Sequence, residues 1–379
     1  MTYKRITLAA AFAALTTGTA AHAASFSANS LVVMRCTNGV NAEKIYLDEY
    51  DVSGVTPSLV QSIEMPWTGA DAVTMPGLMD HDRHLHRSAD GRYLTFAGYN
   101  KEYGSADPKL DTAAATPRVV GVVKHDGSCD LSTKLTDTCD NGALRGAVTT
   151  DGTKIWVGGD NNSGTTTSGG TRFTTRGSTT SVNLSQVQVT GGSPQPDNIR
   201  DINIFAGQLY NSSGSGSSVG KAAFKVGTGL PETGSQTLTK MTLDNQSISS
   251  FTFLDADPGV PGVDTIYAAA GSVLRKYNLV SGTWTAKGSI AVTGALEQVV
   301  AALDAGGQAV VYAGKVDGIL RVIDASPYGV NLSGTLSTIL SAPAGYTWGG
   351  MDFAPVPEPA SLVQLGLGGA LLASRRRRA

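Results

Sequence analysis

The densest run of chemically capable side chains is Asp80-His81-Asp82-Arg83-His84-Leu85-His86-Arg87, which holds three of the five histidines. On an extended strand alternate side chains share a face, so His84 and His86 would point the same way as Asp82. Two imidazoles and a carboxylate at that spacing are a donor set for a divalent metal. The competing expectation is a solvated, hydrogen-bonded loop at the entrance of a strand, where binding groups commonly sit. No distant histidine-rich segment completes the set, because His125 stands alone in Val-Val-Lys-His-Asp-Gly. Asp255, Asp257 and Asp264 offer hard carboxylate ligands of the kind calcium takes. The full D-x-D-x-D-G loop with a downstream Glu is missing, and turn carboxylates that cap backbone amides account for the same residues. Arg145, Arg200 and Asp201 lie on strands expected to line a channel. There they would meet a glycan or small acid, or pair with one another in a structural network.

The elements that position these groups are strands. The 379 residues include 46 glycines and are 16% charged, the composition of a turn-rich, mostly-β extracellular chain. Between Ser25 and Phe353 no helical apolar period is sustained. Runs of four to eight residues rich in Val, Ile, Thr, Tyr and Phe alternate instead with Gly, Asp, Asn and Ser. A strand–turn–strand unit recurs. Leu85 leads through Asp90-Gly91 to Tyr93–Gly98, and Leu144 through Asp151-Gly152 to Ile155–Gly159. Ile199 leads through Gly207 to Leu209-Tyr210, Ile248–Leu254 to Thr265–Ala269, and Leu296–Leu303 through Gly306-Gly307 to Val310–Gly314. The first strands recur at about the length of a propeller blade, each expected at the channel, with aromatic residues of the second strands and Trp156 between blades. LVVMRC, KIYLDEY and SLVQSIEM near the start lack a channel strand, and Trp348–Phe353 supplies it from the far end, removing the open edge. The expectation is an all-β, six-bladed propeller closed by strands from both termini. Seven blades is the alternative if Asn161–Gln195 hides another, and a sandwich or solenoid is the other architecture.

The two ends read as sorting signals. Residues 1–23 carry Lys4 and Arg5, an apolar run from Ile6 to Leu15 and a terminal Ala21-His22-Ala23, the pattern of a secretory signal peptide. Residues 354–379 hold Pro357-Glu358-Pro359, then the mostly apolar Ala360–Ser374, then Arg375, Arg376, Arg377 and Arg378. A helix over that apolar stretch reaches roughly 22 Å, short of the roughly 30 Å hydrocarbon layer, which suits temporary anchoring with the arginines on the cytoplasmic side. This order of parts resembles the PEP-CTERM sorting signal of exported bacterial proteins. The resemblance implies recognition of Pro-Glu-Pro by the membrane enzyme exosortase, removal of the tail, and delivery to the surface or exopolysaccharide matrix. Without both ends, 23 basic and 30 acidic residues remain in the cargo, residues 24–353, a net charge near −7. An acidic body with no clustered Lys/Arg face excludes DNA or RNA as an expected partner. Of three cysteines, Cys129 and Cys139 lie ten apart and are candidates for a disulfide in an oxidising compartment, with Cys36 left over as a buried thiol.

Phrases such as LVVMRC, KIYLDEYDVSG, SADGRYLTFAGYN, INIFAGQLYNSSG, FLDADPGVPGVDTIYAA and YNLVSGTW look like those of a group of exported bacterial propeller proteins. That resemblance covers most of the cargo, implies the fold and implies no activity. SADGRYL is also similar to the strand–turn–strand of WD-like and YVTN-type propellers. No G-x-S-x-G, H-E-x-x-H or phosphate loop is present, and the sialidase Asp-box fails in Thr150–Trp156, which lacks the residue between its Asp and Gly. The leading expectation is a non-enzymatic surface or matrix protein that binds polysaccharide or another surface component, with exosortase as a partner during sorting. The alternative is a propeller hydrolase or lyase acting on such a polymer, with its site near His81–His86, Arg145 and Asp201. Convergent acids at one mouth of the channel would mark the enzyme, and exposed aromatics and hydroxyls the binder. Paired carboxylates for glycoside hydrolysis are diagnosed by their separation, which the sequence does not give.

Overall fold

Short apolar runs punctuated by residues that accept positive φ form antiparallel hairpins, and here they form six sheets of four strands each. The computed structural model describes residues 24–77, 81–161, 168–185, 198–214, 220–242 and 244–357. Blade one combines Tyr346–Phe353, Leu31–Thr37, Ile45–Asp51 and Ser58–Glu64, from the axis outward. Blade two is Leu85–Arg87, Tyr93–Tyr99, Arg118–Lys124 and Cys129–Leu135. Blade three is Leu144–Thr149, Lys154–Gly159, Gly170–Thr175 and Val182–Asn183. Blade four is Ile199–Phe205, Gln208–Ser213, Ala222–Val226 and Leu238–Lys240. Blade five is Ser250–Leu254, Thr265–Ala270, Val273–Val280 and Thr283–Ala291. Blade six is Gln298–Leu303, Ala309–Lys315, Gly318–Asp324 and Ser337–Ser341. A small extra pair joins Ala42–Glu43 to Met75–Pro76.

The expected closure is present. Tyr346–Phe353 pairs antiparallel with Leu31–Thr37, Leu31 opposite Phe353 and Thr37 opposite Tyr346, so the first and last described strands share one sheet. The described residues of the stretch from Asn161 to Gln195 supply the third and fourth strands of blade three, Gly170–Thr175 and Val182–Asn183, and form no seventh blade. In the hairpins that join inner to second strands, Gly152 and Gly307 sit at φ +79° and +78°, where a side chain would be strained.

One aromatic on the second strand of each of five blades reaches the next blade. Tyr93 packs with Leu144 and Ala147 of blade three, and Trp156 with Ile202, Leu209 and Val226 of blade four. Tyr210 meets Phe251 and Ile266 of blade five, Tyr267 meets Val299 and Val311 of blade six, and Tyr312 meets Leu31 and Trp348 of blade one. Blade one closes the cycle with Val32 and Met34 against Leu85, Leu94 and Phe96 of blade two. The core is therefore a ring of inter-blade seams rather than one central cluster. Trp156 is fully buried and its indole N–H donates to the Pro231 carbonyl at 2.6 Å, which satisfies the polar end of the ring in blade four.

The expected disulfide is absent. Cys36, Cys129 and Cys139 are all unbridged thiols. Cys129 opens the strand Cys129–Leu135 and Cys139 lies beyond its other end, and seven extended residues at about 3.3 Å each carry the two far outside bridging range. Burial pushes all three thiols up, Cys36 and Cys139 to about 11 and Cys129 to about 12. Among the described residues no helix is long and apolar enough to cross a membrane. The expected signal peptide at 1–23, the apolar helix, Glu358, Pro359 and the four arginines lie outside the described residues. The last described stretch is held to the body, with Ala354 N donating to Ser30 O at 2.8 Å and Val356 N to Gly91 O at 2.9 Å.

Candidate functional site

In a sheet of four antiparallel strands, the connector from one blade to the next inner strand and the turn between second and third strands fall on the same face. The histidine-rich segment is such a connector, so its side chains arrive at the upper end of the axis. His81 has a positive φ of +57° and regular pairing starts only at Leu85, so the chain bends as it enters blade two. His84 and His86 then both point to the axis, while Leu85 turns into the seam with blade one.

The third member of that group is Asp201, from the inner strand of blade four. Donor atoms of His84, His86 and Asp201 all lie within 4.8 Å of one another, and the three side chains are buried. His86 Nε2 is 2.9 Å and His84 Nδ1 3.6 Å from Asp201 Oδ1. On its far side His84 places Nε2 at 3.1 Å from the Glu297 carbonyl, and His86 places Nδ1 at 3.4 Å from Asn203 Nδ2. Asp201 also accepts the amides of Ile202 at 2.8 Å and Phe251 at 3.2 Å. Burial would push its carboxyl up, but the facing imidazoles hold it below the usual carboxylate range. Burial pushes the His84 imidazole below its ordinary value, against the pull of Asp201. Asp352, on the closing strand, has its carboxyl raised by burial and accepts the Arg87 amide at 2.7 Å.

Above this group a second pair reaches solvent. His81 Nδ1 lies 2.8 Å from Glu297 Oε2, with side-chain exposures of 21% and 12%. Burial alone would raise the Glu297 carboxyl; the hydrogen bond from His81 and the charges of His81, His84 and Arg200 bring it down. The remaining expected residues have structural partners. Arg145 pairs with Asp160 at 2.9 Å and also donates to Asn198 Oδ1 and, at 3.2 Å, to the Ile199 carbonyl, which ties blade three to blade four. Asp82 is buried but is no part of the His84–His86–Asp201 group; its charge acts on Cys36 and Tyr99. The alternation expected to put it beside His84 does not carry back that far, since regular strand pairing begins only at Leu85. Asp264 is a buried loop cap, accepting the amides of Ala256 and Asp257 and the Thr265 hydroxyl, and Asp257 caps Gly259. These carboxylates are spent on backbone donors, and the calcium alternative has no donor cluster among the described residues.

Sequence reasoning missed Glu297 and Gln298. Gln298 Oε1 accepts the amides of Leu85 at 3.1 Å and Met351 at 3.0 Å, and its Nε2 donates to the Leu85 carbonyl at 2.6 Å. One side chain thereby joins the inner strands of blades six, two and one. Gly350 makes room for it, since a Cβ there would fall 2.2 Å from Gln298 Oε1. The available signal was two polar residues opening the otherwise apolar run Leu296–Leu303. Arg83, also missed, is buried and donates to Thr347 Oγ1 and the Pro76 carbonyl, both at 2.6 Å.

The same upper face carries exposed aromatics. Trp67, on the connector leaving blade one, and Tyr103, in the second-to-third-strand loop of blade two, are 37% and 44% exposed and stand edge to face at 6.1 Å. Tyr103 N donates to Trp67 O at 3.0 Å, and Glu102 accepts both the Thr68 hydroxyl and the Gly69 amide, so the pair is fixed. Lys44 Nζ lies 3.9 Å from the Trp67 ring centroid. Two clefts of about 650 and 560 Å³ open on the opposite face, at the junctions of blades six and one and of blades five and six, and neither is lined by His84, His86 or Asp201.

No protein-family model and no curated protein matches the chain. Solved structures similar to it include a putative 6-phosphogluconolactonase from Bacteroides fragilis, 14% identical over 83% of this chain and 82% of that one, with a TM-score of 0.47. A glucose dehydrogenase is 11% identical over 76% of this chain and 96% of that one, TM-score 0.41. A chain of the mitotic checkpoint complex is 13% identical over 70% and 80%, TM-score 0.40.

Proposed function

We propose that the chain is an exported β-propeller that binds polysaccharide at the cell surface or in the extracellular matrix and does not turn it over. The observation that carries this reading is the division of labour on the upper face. The His84–His86–Asp201 group at the axis is sealed and the His81–Glu297 pair above it is only 21% and 12% exposed, while Trp67 and Tyr103 stand more open beside Lys44 and Glu102. Aromatic rings with charged and hydroxyl neighbours suit the apolar faces and hydroxyl rims of sugar rings, whereas turnover of a polymer needs its acid and base open to substrate. Delivery is by the tail, Pro357-Glu358-Pro359 with Arg375–Arg378 behind an apolar stretch, read by exosortase after export through residues 1–23.

A glycan array and an activity screen on the same polymers test this reading. It expects saturable binding without turnover, and binding weakened at least tenfold by Trp67→Ala, about 1.4 kcal/mol. Turnover that is abolished by His84→Ala would establish the hydrolase or lyase reading instead. Substituting Glu358 should leave the tail uncut.

A further inference from the structure

We infer that His84, His86 and Asp201 form a binding site for one divalent cation of the zinc class, which staples blade two to blade four across the axis. The inference stands on the axial geometry and is independent of what the exposed face binds.

His84 Nε2 lies 3.1 Å from the Glu297 carbonyl, and a carbonyl only accepts, so in neutral His84 the ring proton sits on Nε2. Nδ1 is then a bare lone pair, and it faces a carboxylate oxygen, Asp201 Oδ1, at 3.6 Å. Nδ1 makes no hydrogen bond among the described residues. Two acceptors facing each other in a buried place repel, and a cation between them converts the repulsion into two bonds. His86 Nε2 reaches the same oxygen at 2.9 Å. Three donor atoms thus lie within 4.8 Å of one another, the two nitrogens at 2.9 and 3.6 Å from Asp201 Oδ1. Ligands at about 2.0–2.1 Å from a tetrahedral ion stand about 3.3 Å apart, which lies between these two separations.

The surroundings fit an ion as well. The Glu297 carbonyl behind His84 is the outer partner that metal-bound imidazoles normally have. Opposite, Gly146 of blade three lets the backbone close on the group: a Cβ there would come to 3.3 Å from Ile202 Cγ2, 3.4 Å from His86 Nε2 and 3.8 Å from His84 Cβ. Two nitrogens and one carboxylate oxygen favour zinc and its transition-metal neighbours over calcium or magnesium, which take oxygen. The one mismatch is instructive. Asn203 Oδ1 is engaged by the Ile204 amide at 2.8 Å, so its NH₂ faces His86 Nδ1, which must carry a proton once Nε2 binds a metal. Asn203→Asp would place an acceptor there and tighten binding.

The test uses the full chain, unfolded with a chelator, freed of metal, and refolded with and without Zn²⁺, or with Co²⁺ as a spectroscopic probe. The expected results are one metal per chain by elemental mass spectrometry, visible Co²⁺ bands of tetrahedral intensity, and a higher thermal midpoint with Zn²⁺. His84→Gln and His86→Gln, close to the native shape, should each weaken binding at least tenfold, His125→Ala should not, and Asn203→Asp should tighten it about tenfold. Folded wild type that takes up no stoichiometric metal overturns the inference, with the His84–Asp201 contact then bridged by a proton only. So does metal retained by the His84→Gln/His86→Gln double variant, or affinity unchanged in Asn203→Asp.

Discussion

Replacing Asp324 by Asn should be among the most damaging single changes outside the axis. Asp324 is buried on the third strand of blade six, and its carboxylate lies 2.8 Å from the buried ammonium of Lys276 in blade five. It also accepts the Tyr267 hydroxyl at 2.7 Å and the amides of Ser326 at 3.0 Å and Ser333 at 3.3 Å. Asn keeps the shape and removes the charge. Lys276 is left with the Ser326 carbonyl at 3.4 Å, a long contact for a buried cation. Stranding one member of a buried ion pair costs about 3–5 kcal/mol. Lys276→Met should cost less, because three donors still hold the carboxylate. Burial would raise the Asp324 carboxyl, and the donors from Lys276, Tyr267 and Ser326 reverse this to place it below the usual range. The sign of the pH effect follows. A lowered folded-state pKa gives stability that is fully present above the unfolded value of about 3.9 and is lost as the pH falls through the folded value. Urea unfolding followed by tryptophan fluorescence should therefore show a wide gap between wild type and Asp324→Asn at pH 7, narrowing as the pH drops below 4. A gap under about 1 kcal/mol at pH 7, or one that widens in acid, would refute the reasoning.

Three further outcomes are expected. Gln298→Leu leaves two buried amides and a carbonyl without their partner and should cost about 2–4 kcal/mol in urea unfolding despite the matched size, whereas a change at the exposed Thr56, Thr56→Val, should cost under about 0.5. Trp156→Ala empties the seam between blades three and four and should cost about 3–5 kcal/mol, with proteolysis then starting in those two blades. A chain stopped after Pro357 keeps the Val356–Gly91 hydrogen bond and every sheet, so its circular dichroism and thermal midpoint should match those of the full chain; collapse of this product would contradict the reading of the tail as disposable.

The propeller was legible because its signals are local. Alternation, turn residues and a recurring strand–turn–strand unit all act within a few residues, and the closing strand announced itself because LVVMRC lacked an inner neighbour while Trp348–Phe353 lacked a partner. The site was half legible for the same reason. His84 and His86 share a face by simple alternation, but their third partner sits two blades away, and only the geometry of the ring decides which inner strand faces them. Asp82 was the local choice and Asp201 is the observed one, since regular strand pairing begins only at Leu85, three residues past Asp82. The Cys129–Cys139 spacing misled because it ignores what lies between: an extended strand separates what a loop would have joined. Gln298 left little trace, as a bridging amide has no spacing rule.

Export is the claim on which the account most depends, and the intact mass of the protein recovered from an exosortase-bearing bacterium tests it most directly. The account predicts a product outside the cytoplasm that lacks residues 1–23 and the segment that follows Pro357-Glu358-Pro359. The full chain recovered from the cytosol, still carrying Arg375–Arg378, would contradict it.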